Sequence, residues 1–194
     1  MRDYLRLTGI LLIVCIVAAG VLGVTNAVTF EKILEQAIRE NDEARREVLS
    51  AADEFNKVEG NGISDILSKS NYEIVTEVYA GKTQGQSLGY TIKTSPKGYG
   101  GTVEIVIGID MEGKVKGIKV GENSETPGLG KNAATPKFQG QFIGKDWDDG
   151  VVLIKNGVPK DNEILSIAGA TVTSTAVVEG VNTALELIEE IIGN

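Results

Sequence analysis

The sequence predicts an α+β fold, in which a largely antiparallel sheet is covered by helices and joined to an N-terminal transmembrane helix. Three observations lead to this prediction: an uncharged run near the N-terminus, short β-branched segments separated by glycine-bearing turns, and an amphipathic C-terminal segment. The 194 residues suffice for one ordinary domain and an anchor. We expect an anchor over residues 1–29, a juxtamembrane helix and linker over 30–70, and a folded domain over 71–194.

The N-terminal segment from Leu7 to Val28 contains no charged residue. At about 1.5 Å per residue, a helix over this segment would cross a hydrocarbon core of roughly 30 Å. This length favours a retained anchor over a cleaved signal peptide, whose apolar region usually covers about 7–15 residues. Arg2 and Arg6 precede the segment and Glu31 follows it, so we expect a cytoplasmic N-terminus and an extracytoplasmic domain.

The next segments predict a helix, a loop and a series of strands. Glu31 to Phe55 is dense in charge and carries a narrow apolar stripe, which favours a solvated stalk or a seam for a partner subunit over a buried helix. Gly60 to Ser70 predicts a loop by its Gly, Asn and Ser content.

Four segments rich in β-branched and aromatic residues predict strands, namely Tyr72–Tyr79, Tyr90–Thr94, Thr102–Ile109 and Val115–Val120. Their short connections, which carry glycines such as Gly81, Gly85 and Gly89, indicate antiparallel pairing.

The C-terminal segment is the clearest helix of the chain. Its apolar face consists of Val177, Val181, Ala184, Ile188 and Ile191. Its opposite face consists of Glu179, Asn182, Glu186 and Glu190. This pattern predicts a helix that packs one side on the sheet.

The composition excludes several kinds of chemistry. The chain has no His, and its one cysteine, Cys15, lies in the apolar run. It therefore cannot by itself supply a Ser-His-Asp triad, the usual zinc ligands, a cysteine-ligated iron–sulfur cluster or a His-ligated haem. Redox chemistry would need an organic cofactor. The net charge of −8 and the scattered basic residues argue against nucleic acid as a partner.

Residues 166–175, with the sequence SIAGATVTST, form a small-residue turn that leads into the C-terminal helix. Free N–H groups and the positive end of the helix dipole would bind a phosphate there, with Gly169 allowing close approach. From this stretch alone, simple N-capping by the hydroxyl side chains is the favoured alternative. Helical geometry predicts that the hydroxyls of Thr173, Ser174 and Thr175 turn away from Gly169.

A second segment, 124–130, has the sequence SETPGLG. Pro127 fixes one backbone angle, while Gly128 and Gly130 permit positive φ, so the segment predicts a rigid loop that can lie against a ring system. An ordinary surface turn is the alternative. Tyr99 and Trp147 are candidates for stacking on a ring, although a lone aromatic residue more often belongs to a core.

Three motifs occur in the order typical of the FMN-binding domain family. Residues 168–174, AGATVTS, resemble its flavinylation motif [ST]-G-A-T, and residues 124–130 resemble its E-T-P-G-L-G signature. Residues 98–101, GYGG, followed by GID at 108–110, resemble a third part of the family's pattern. Ala168 stands where Ser or Thr is usual, and Leu165 stands where the longer motif often begins with Asp. The resemblance covers roughly residues 72–194.

The resemblance implies that Thr171 carries flavin mononucleotide (FMN) as a phosphoester and that no residue of this chain is catalytic or binds a metal. It implies the cofactor-binding residues Glu125, Thr126, Gly128, Leu129, Gly169, Ala170 and Thr173. Glu125 and Thr126 would form hydrogen bonds with the flavin or its ribityl chain, and Leu129 would contact the ring.

The resemblance further implies an electron-transfer subunit that is not a complete enzyme, matured by a separate flavin transferase that uses FAD and a divalent metal. With one span and one short domain, the chain is similar to the G subunits of Rnf-type complexes, which couple ferredoxin and NAD to sodium or proton movement. Other membrane subunits of such a complex would be its partners. The alternatives are a C subunit of a sodium-translocating NADH:quinone reductase, which is usually longer, and a non-redox extracytoplasmic binding or assembly module.

Overall fold

The computed structural model describes residues 2–192. The helices are α1 (Arg2–Val48), α2 (Asn61–Leu67), α3 (Pro136–Gln139) and α4 (Thr171–Ile192). The strands are β1 (Glu54–Lys57), β2 (Val75–Thr83), β3 (Gln86–Thr94), β4 (Val103–Asp110), β5 (Val115–Asn123), β6 (Val152–Ile154) and β7 (Glu163–Leu165). Short 3-10 turns cover Ser70–Tyr72, Gly130–Ala134 and Gly140–Phe142.

The chain divides into two compact units, residues 1–42 and residues 43–194. In the first unit, α1 includes an 18-residue window with a mean hydropathy of 2.8, none of it buried by protein. By length and composition, this helix can cross a membrane. The second unit contains the whole sheet, so residues 43–70 fold together with the domain predicted for 71–194.

Strands β1 to β5 form one antiparallel sheet in chain order, and β6 pairs in parallel with β7. This arrangement confirms the predicted α+β class with a largely antiparallel sheet. On β4, the residues Val103, Ile105, Ile107 and Ile109 are fully buried on one face, as the two-residue period of a strand requires. Gly81 and Gly89 lie inside strands and not in the predicted turn, which is formed around Gly85 at φ +80°.

Helix α4 covers the face of the sheet that carries these buried residues. Its predicted apolar face is confirmed, since Val177, Val181, Ala184 and Ile188 are fully buried and Ile191 packs at the edge of the core. An ideal Cβ on Gly180 would lie 2.6 Å from Thr94 Oγ1, so a glycine permits the close approach of helix and sheet here. On the predicted polar face, the Asn182 amide accepts a hydrogen bond from Val151 N at 2.7 Å and donates one to Val151 O at 2.9 Å.

The last turn of α1 packs on the other face of the sheet, over two paired glycines of β4 and β5. Gly108 and Gly117 are cross-strand neighbours, and Val48 lies above both of them. An ideal Cβ on Gly108 would lie 2.4 Å from Val48 O, and one on Gly117 would lie 3.2 Å from Val48 Cα. Because neither glycine carries a side chain, the backbone and Cβ of Val48 can approach the sheet closely here, and a side chain at position 108 would clash with Val48.

Arg45 holds the same turn of α1 against β2. Its side chain is buried, donates a hydrogen bond from Nη2 to Glu77 Oε2 at 2.5 Å, and lies 3.8 Å from the centroid of the Tyr79 ring. Glu47 adds an ion pair with Lys119 at 2.7 Å. The contact thus combines close backbone packing with a buried guanidinium that is paired with both a carboxylate and a ring.

The predicted helix Glu31–Phe55 was wrong at its C-terminal end. Helix α1 ends at Val48, Leu49 and Ala52 are buried, and Phe55 lies in β1, which pairs with β2. A solvated stalk or a seam for a partner subunit was the expectation for this helix, because helical periodicity carries no information about the two glycines on which Val48 packs. Residues 43–48 of α1 belong to the folded domain.

The predicted loop Gly60–Ser70 contains α2, whose Ile66 and Leu67 pack against the core. Tyr72 belongs to the following 3-10 turn and not to the first predicted strand. Its hydroxyl donates to Glu190 Oε2 at 3.0 Å, near the end of α4. Burial and this hydrogen bond raise the pKa of Tyr72 to about 12, so the tyrosine stays neutral and tied to α4 at ordinary pH.

We predict that Gly108→Ala destabilises the domain by about 1–3 kcal/mol, because the added methyl group must displace the end of α1. Chemical denaturation of the purified full chain measures this change. Gly140→Ala is the matched control, since Gly140 has φ −63° and an ideal Cβ there meets nothing within 4 Å. Equal stability of the two variants would contradict the described packing of α1.

Candidate functional site

A cleft of about 480 Å³ lies where three glycine-bearing segments of the domain meet. Its lining residues are Tyr99, Glu125, Thr126, Leu129, Gly130, Gly169, Ala170, Thr171, Val172 and Thr173. They come from the turn before β4, the loop after β5 and the start of α4. The volume falls in the range of about 300–1,000 Å³ that is typical of small-molecule sites.

The wall formed by α4 begins with a tight turn that is held from inside the protein. Ala170 N donates to Ile167 O at 3.0 Å, and Gly169 has φ +75°, as the third position of a type II turn requires. The Ser174 hydroxyl accepts from Ile167 N and donates to Ala170 O, both at 3.0 Å. This bracing fixes Thr171, half-buried, as the first residue of α4.

Glu125 joins two walls of the cleft. Its side chain is 3% exposed, and its Oε2 accepts a hydrogen bond from Thr173 Oγ1 at 2.6 Å. Its Oε1 accepts from Gly100 N at 2.9 Å, in the turn that carries Tyr99. The carboxylate therefore connects the start of α4 to the turn before β4.

Two glycines leave the space that the Glu125 side chain occupies. An ideal Cβ on Gly98 would lie 2.4 Å from Oε1, and one on Gly130 would lie 2.4 Å from Oε2. The carboxylate is thus enclosed on both sides by backbone. Any side chain at position 98 or 130 would have to displace it.

The rim of the cleft is apolar. Leu129 is 42% exposed and Tyr99 is 76% exposed. Leu129 lies close to the Gly169 turn, because an ideal Cβ on Gly169 would be 3.1 Å from Leu129 Cδ2. The loop that presents Leu129 is closed by a hydrogen bond from Leu129 N to Thr126 O at 3.1 Å and by positive φ at Gly128. An aromatic ring system can therefore contact apolar side chains from two segments.

The start of α4 can bind an anionic group. The backbone N–H of Ser174 donates to Ala170 O. Within residues 2–192, the structure records no acceptor for the N–H groups of Thr171, Val172 and Thr173. These groups and the positive end of the helix dipole lie beside the Thr171 hydroxyl, and this is an arrangement that suits a phosphate.

The structure brings together most of the residues that the sequence singled out. Glu125, Thr126, Leu129, Gly169, Ala170, Thr171 and Thr173 line the cleft. Gly128 shapes the loop without lining the cleft. Of the two candidate aromatics, Tyr99 lies on the rim, whereas Trp147 packs on the β4–β5 turn, where its ring covers Gly113.

Sequence reasoning missed Val172 and Gly130 as lining residues and Gly98 as part of the Glu125 enclosure. Gly98 and Gly130 lie in two of the motifs identified in the sequence, but only the folded structure shows that they enclose Glu125. The expectation that hydroxyls after Thr171 turn away was wrong for Thr173 and Ser174. The Thr173 hydroxyl turns toward the Glu125 carboxylate, and the Ser174 hydroxyl bonds back to the carbonyl four residues earlier, as Ser side chains in helices often do.

We predict that Thr173→Val destabilises the domain by about 1–3 kcal/mol, because a buried carboxylate oxygen loses its donor while the side-chain shape is kept. Thr175→Val is the matched control, because Thr175 is exposed on the same helix and should change stability by less than about 0.5 kcal/mol. Denaturant unfolding of both variants checks the difference. A neutral Thr173→Val would mean that the Glu125 bond contributes nothing to the fold.

The chain is similar in sequence to a known domain family and to known proteins. The sequence model of the FMN-binding domain matches residues 98–186, which include all three walls of the cleft. The chain is 39% identical to the G subunit of the Na(+)-translocating ferredoxin:NAD(+) oxidoreductase complex of Acetobacterium woodii, over 94% of this chain and 90% of that protein. It is 29% identical to the G subunit of the proton-translocating ferredoxin:NAD(+) oxidoreductase complex of Clostridium ljungdahlii, over 94% of this chain and 90% of that protein.

A solved structure shows the same fold. The C subunit of the Na(+)-translocating NADH-quinone reductase of Parabacteroides distasonis aligns with a TM-score of 0.54 and 24% identity. The alignment covers 73% of this chain and 77% of that one. At this identity the likeness concerns the fold alone.

Proposed function

We propose a function from the family of this chain, which belongs to the FMN-binding domain family and, within it, to the G subunits of ion-translocating oxidoreductase complexes. The proposed function is that of a membrane-anchored electron-transfer subunit of an Rnf-type ferredoxin:NAD oxidoreductase. We further propose that it carries FMN as a phosphoester on Thr171. Its partners are then the other membrane subunits of such a complex, together with a flavin transferase that acts during maturation.

The position of Thr171 is the observation that carries the proposal of a covalent cofactor. Its side chain lines the cleft at the first residue of α4, beside the N–H groups that suit a phosphate. The remaining lining residues fit an organic ring system, because Leu129 and Tyr99 provide apolar surface while Thr126 provides a hydroxyl. The residues present therefore fit FMN, with its anionic end at α4.

The attachment reaction uses Thr171 as the nucleophile. Its hydroxyl oxygen would bond to the phosphorus on the FMN side of FAD, with AMP as the leaving group and the transferase as the acceptor of the hydroxyl proton. The start of α4, where Thr171 lies, would support this step by stabilising the negative charge of the phosphate that stays on Thr171.

When bound, the flavin supplies the redox chemistry of the subunit. The chain's own residues would fix its position: Thr171 would tether it, and the backbone of Gly169 and Ala170 would hold its phosphate. Leu129, in the loop after β5, would contact the ring, and the hydrogen bond between Thr173 and Glu125 ties this loop to α4. No residue of this chain then takes part in a bond-making step after attachment.

Helix α1 and the membrane complexes of the relatives support membrane association of the chain. We propose that α1 stays as a single-pass anchor, with the N-terminus in the cytoplasm and the flavin domain on the opposite side. Arg2 and Arg6 before the apolar segment support this orientation. The similarity to G subunits spans nearly the whole chain, which favours this assignment over a C subunit of an NADH:quinone reductase.

We predict that Thr171→Ala abolishes covalent flavin without unfolding the domain, because it removes the one hydroxyl that would form the ester. The intact mass of each variant, co-produced with a flavin transferase, shows whether an FMN-sized increment is present. Thr175→Ala is the control, since Thr175 is exposed and lies outside the cleft. Thr173 and Ser174 are unsuitable controls, because their hydroxyls support the site. An increment that survives in Thr171→Ala would move the attachment to another residue.

We predict that alkaline phosphatase, which functions only outside the cytoplasm, is active when it is fused after the domain. Green fluorescent protein fused at the same position should not fluoresce. The physical reason is the positive charge that precedes the apolar segment of α1. Alkaline phosphatase and green fluorescent protein fusions to the full chain provide the two readouts. Bright cytoplasmic fluorescence without phosphatase activity would reverse the orientation.

A further inference from the structure

Glu125 is a buried carboxylate whose two hydrogen-bond partners are both neutral. Thr173 Oγ1 and Gly100 N donate to it, and it is 3% exposed. None of the ion pairs formed by residues 2–192 includes Glu125. A buried charge that lacks a cation destabilises a fold, so this residue needs a reason beyond packing.

The hydrogen bonds alone do not require a charge at this position. A glutamine of the same shape could accept from Gly100 N with its carbonyl oxygen. Its amide N–H could donate to Thr173 Oγ1, because a hydroxyl both donates and accepts. The two walls of the cleft would then stay joined, and the enclosure by Gly98 and Gly130 would still fit. What glutamate adds over glutamine is the negative charge.

We propose that the charge of Glu125 lowers the reduction potential of the flavin bound in this cleft. The inference rests on the proposed function, since it concerns the same cofactor. Reduction adds two electrons and, near neutral pH, one proton from the solvent to the flavin ring system, so the ring gains one negative charge; the electrons come from the electron donor in the complex and from dithionite in a titration. A fixed negative charge in the wall opposes this gain of electrons, and it acts strongly because burial keeps water and salt from screening it.

The test is a redox titration of the flavin in the membrane-purified full chain and in Glu125→Gln, followed by visible absorbance. The variant should keep the FMN-sized mass increment and its fold, and its midpoint potential should move in the positive direction. Glu179→Gln is the charge-matched control. Glu179 is exposed on α4, eight residues beyond Thr171 and therefore about 12 Å along the helix, so its loss should leave the potential unchanged.

A second measurement tests the premise without flavin. The free energy of unfolding of the chain produced without transferase should be equal or higher in Glu125→Gln than in the wild type, because the unpaired charge is removed while both bonds are kept. Lower stability in the variant would overturn the inference.

The remaining outcomes separate the two levels of proposal. An unchanged potential in a fully flavinylated Glu125→Gln overturns the inference and leaves the proposed function standing. Loss of flavin from a folded Glu125→Gln overturns it as well, since the charge would then serve attachment. Absence of any FMN increment from the wild type overturns the proposed function itself and removes the cofactor on which the inference depends.

Discussion

The cleft depends on one carboxylate with two acceptor oxygens. Glu125 receives a hydrogen bond from α4 and another from the turn before β4, two segments that are far apart in the sequence and share no strand. Because Gly98 and Gly130 enclose it, the carboxylate cannot move without displacing backbone. The position of Tyr99 relative to Thr171 is therefore set by this side chain, and so is the width of the space between them.

The rest of the domain serves to hold these segments in place. The sheet fixes the turn before β4 and the loop after β5 at the ends of paired strands. Helix α4 crosses one face of the sheet. The amide side chain of Gln141 holds the segment that leads into this helix. Gln141 accepts from Leu165 N at 2.8 Å and donates to Leu165 O at 3.3 Å, directly before the turn that presents Thr171. Leu165 is thus fixed through its backbone, which any residue can provide.

Much of this arrangement could be predicted from the sequence. The period of the apolar residues identified α4 and its buried face, and the β-branched segments identified four of the strands within a few residues. The three motifs identified the segments of the cleft, because glycine and proline restrict or release the backbone in recognisable ways. Short elements such as β1, β6 and β7 were missed, since three or four residues are too few to show a period.

The features that escaped prediction share one cause: each depends on a contact between segments that are distant in the sequence. The sequence predicts Gly108 and Gly117 to lie in strands and the end of α1 to lie outside the domain core, yet Val48 at the end of α1 packs on both glycines. Glu125 was expected to contact the cofactor, and its bonds to Thr173 and Gly100 become apparent only in the fold. Sequence patterns describe what a segment prefers, and they do not describe what it will meet.

Because the cleft is assembled from three separate segments, it exists only in the folded domain. In an unfolded chain, only the local sequence around Thr171 exists, whereas the loop that carries Leu129 and the turn that carries Tyr99 are elsewhere. A ring system delivered to such a chain would find no cavity to occupy. If the flavin is attached as proposed, its loading would therefore follow folding, because the cavity that receives the ring exists only once the three segments have met.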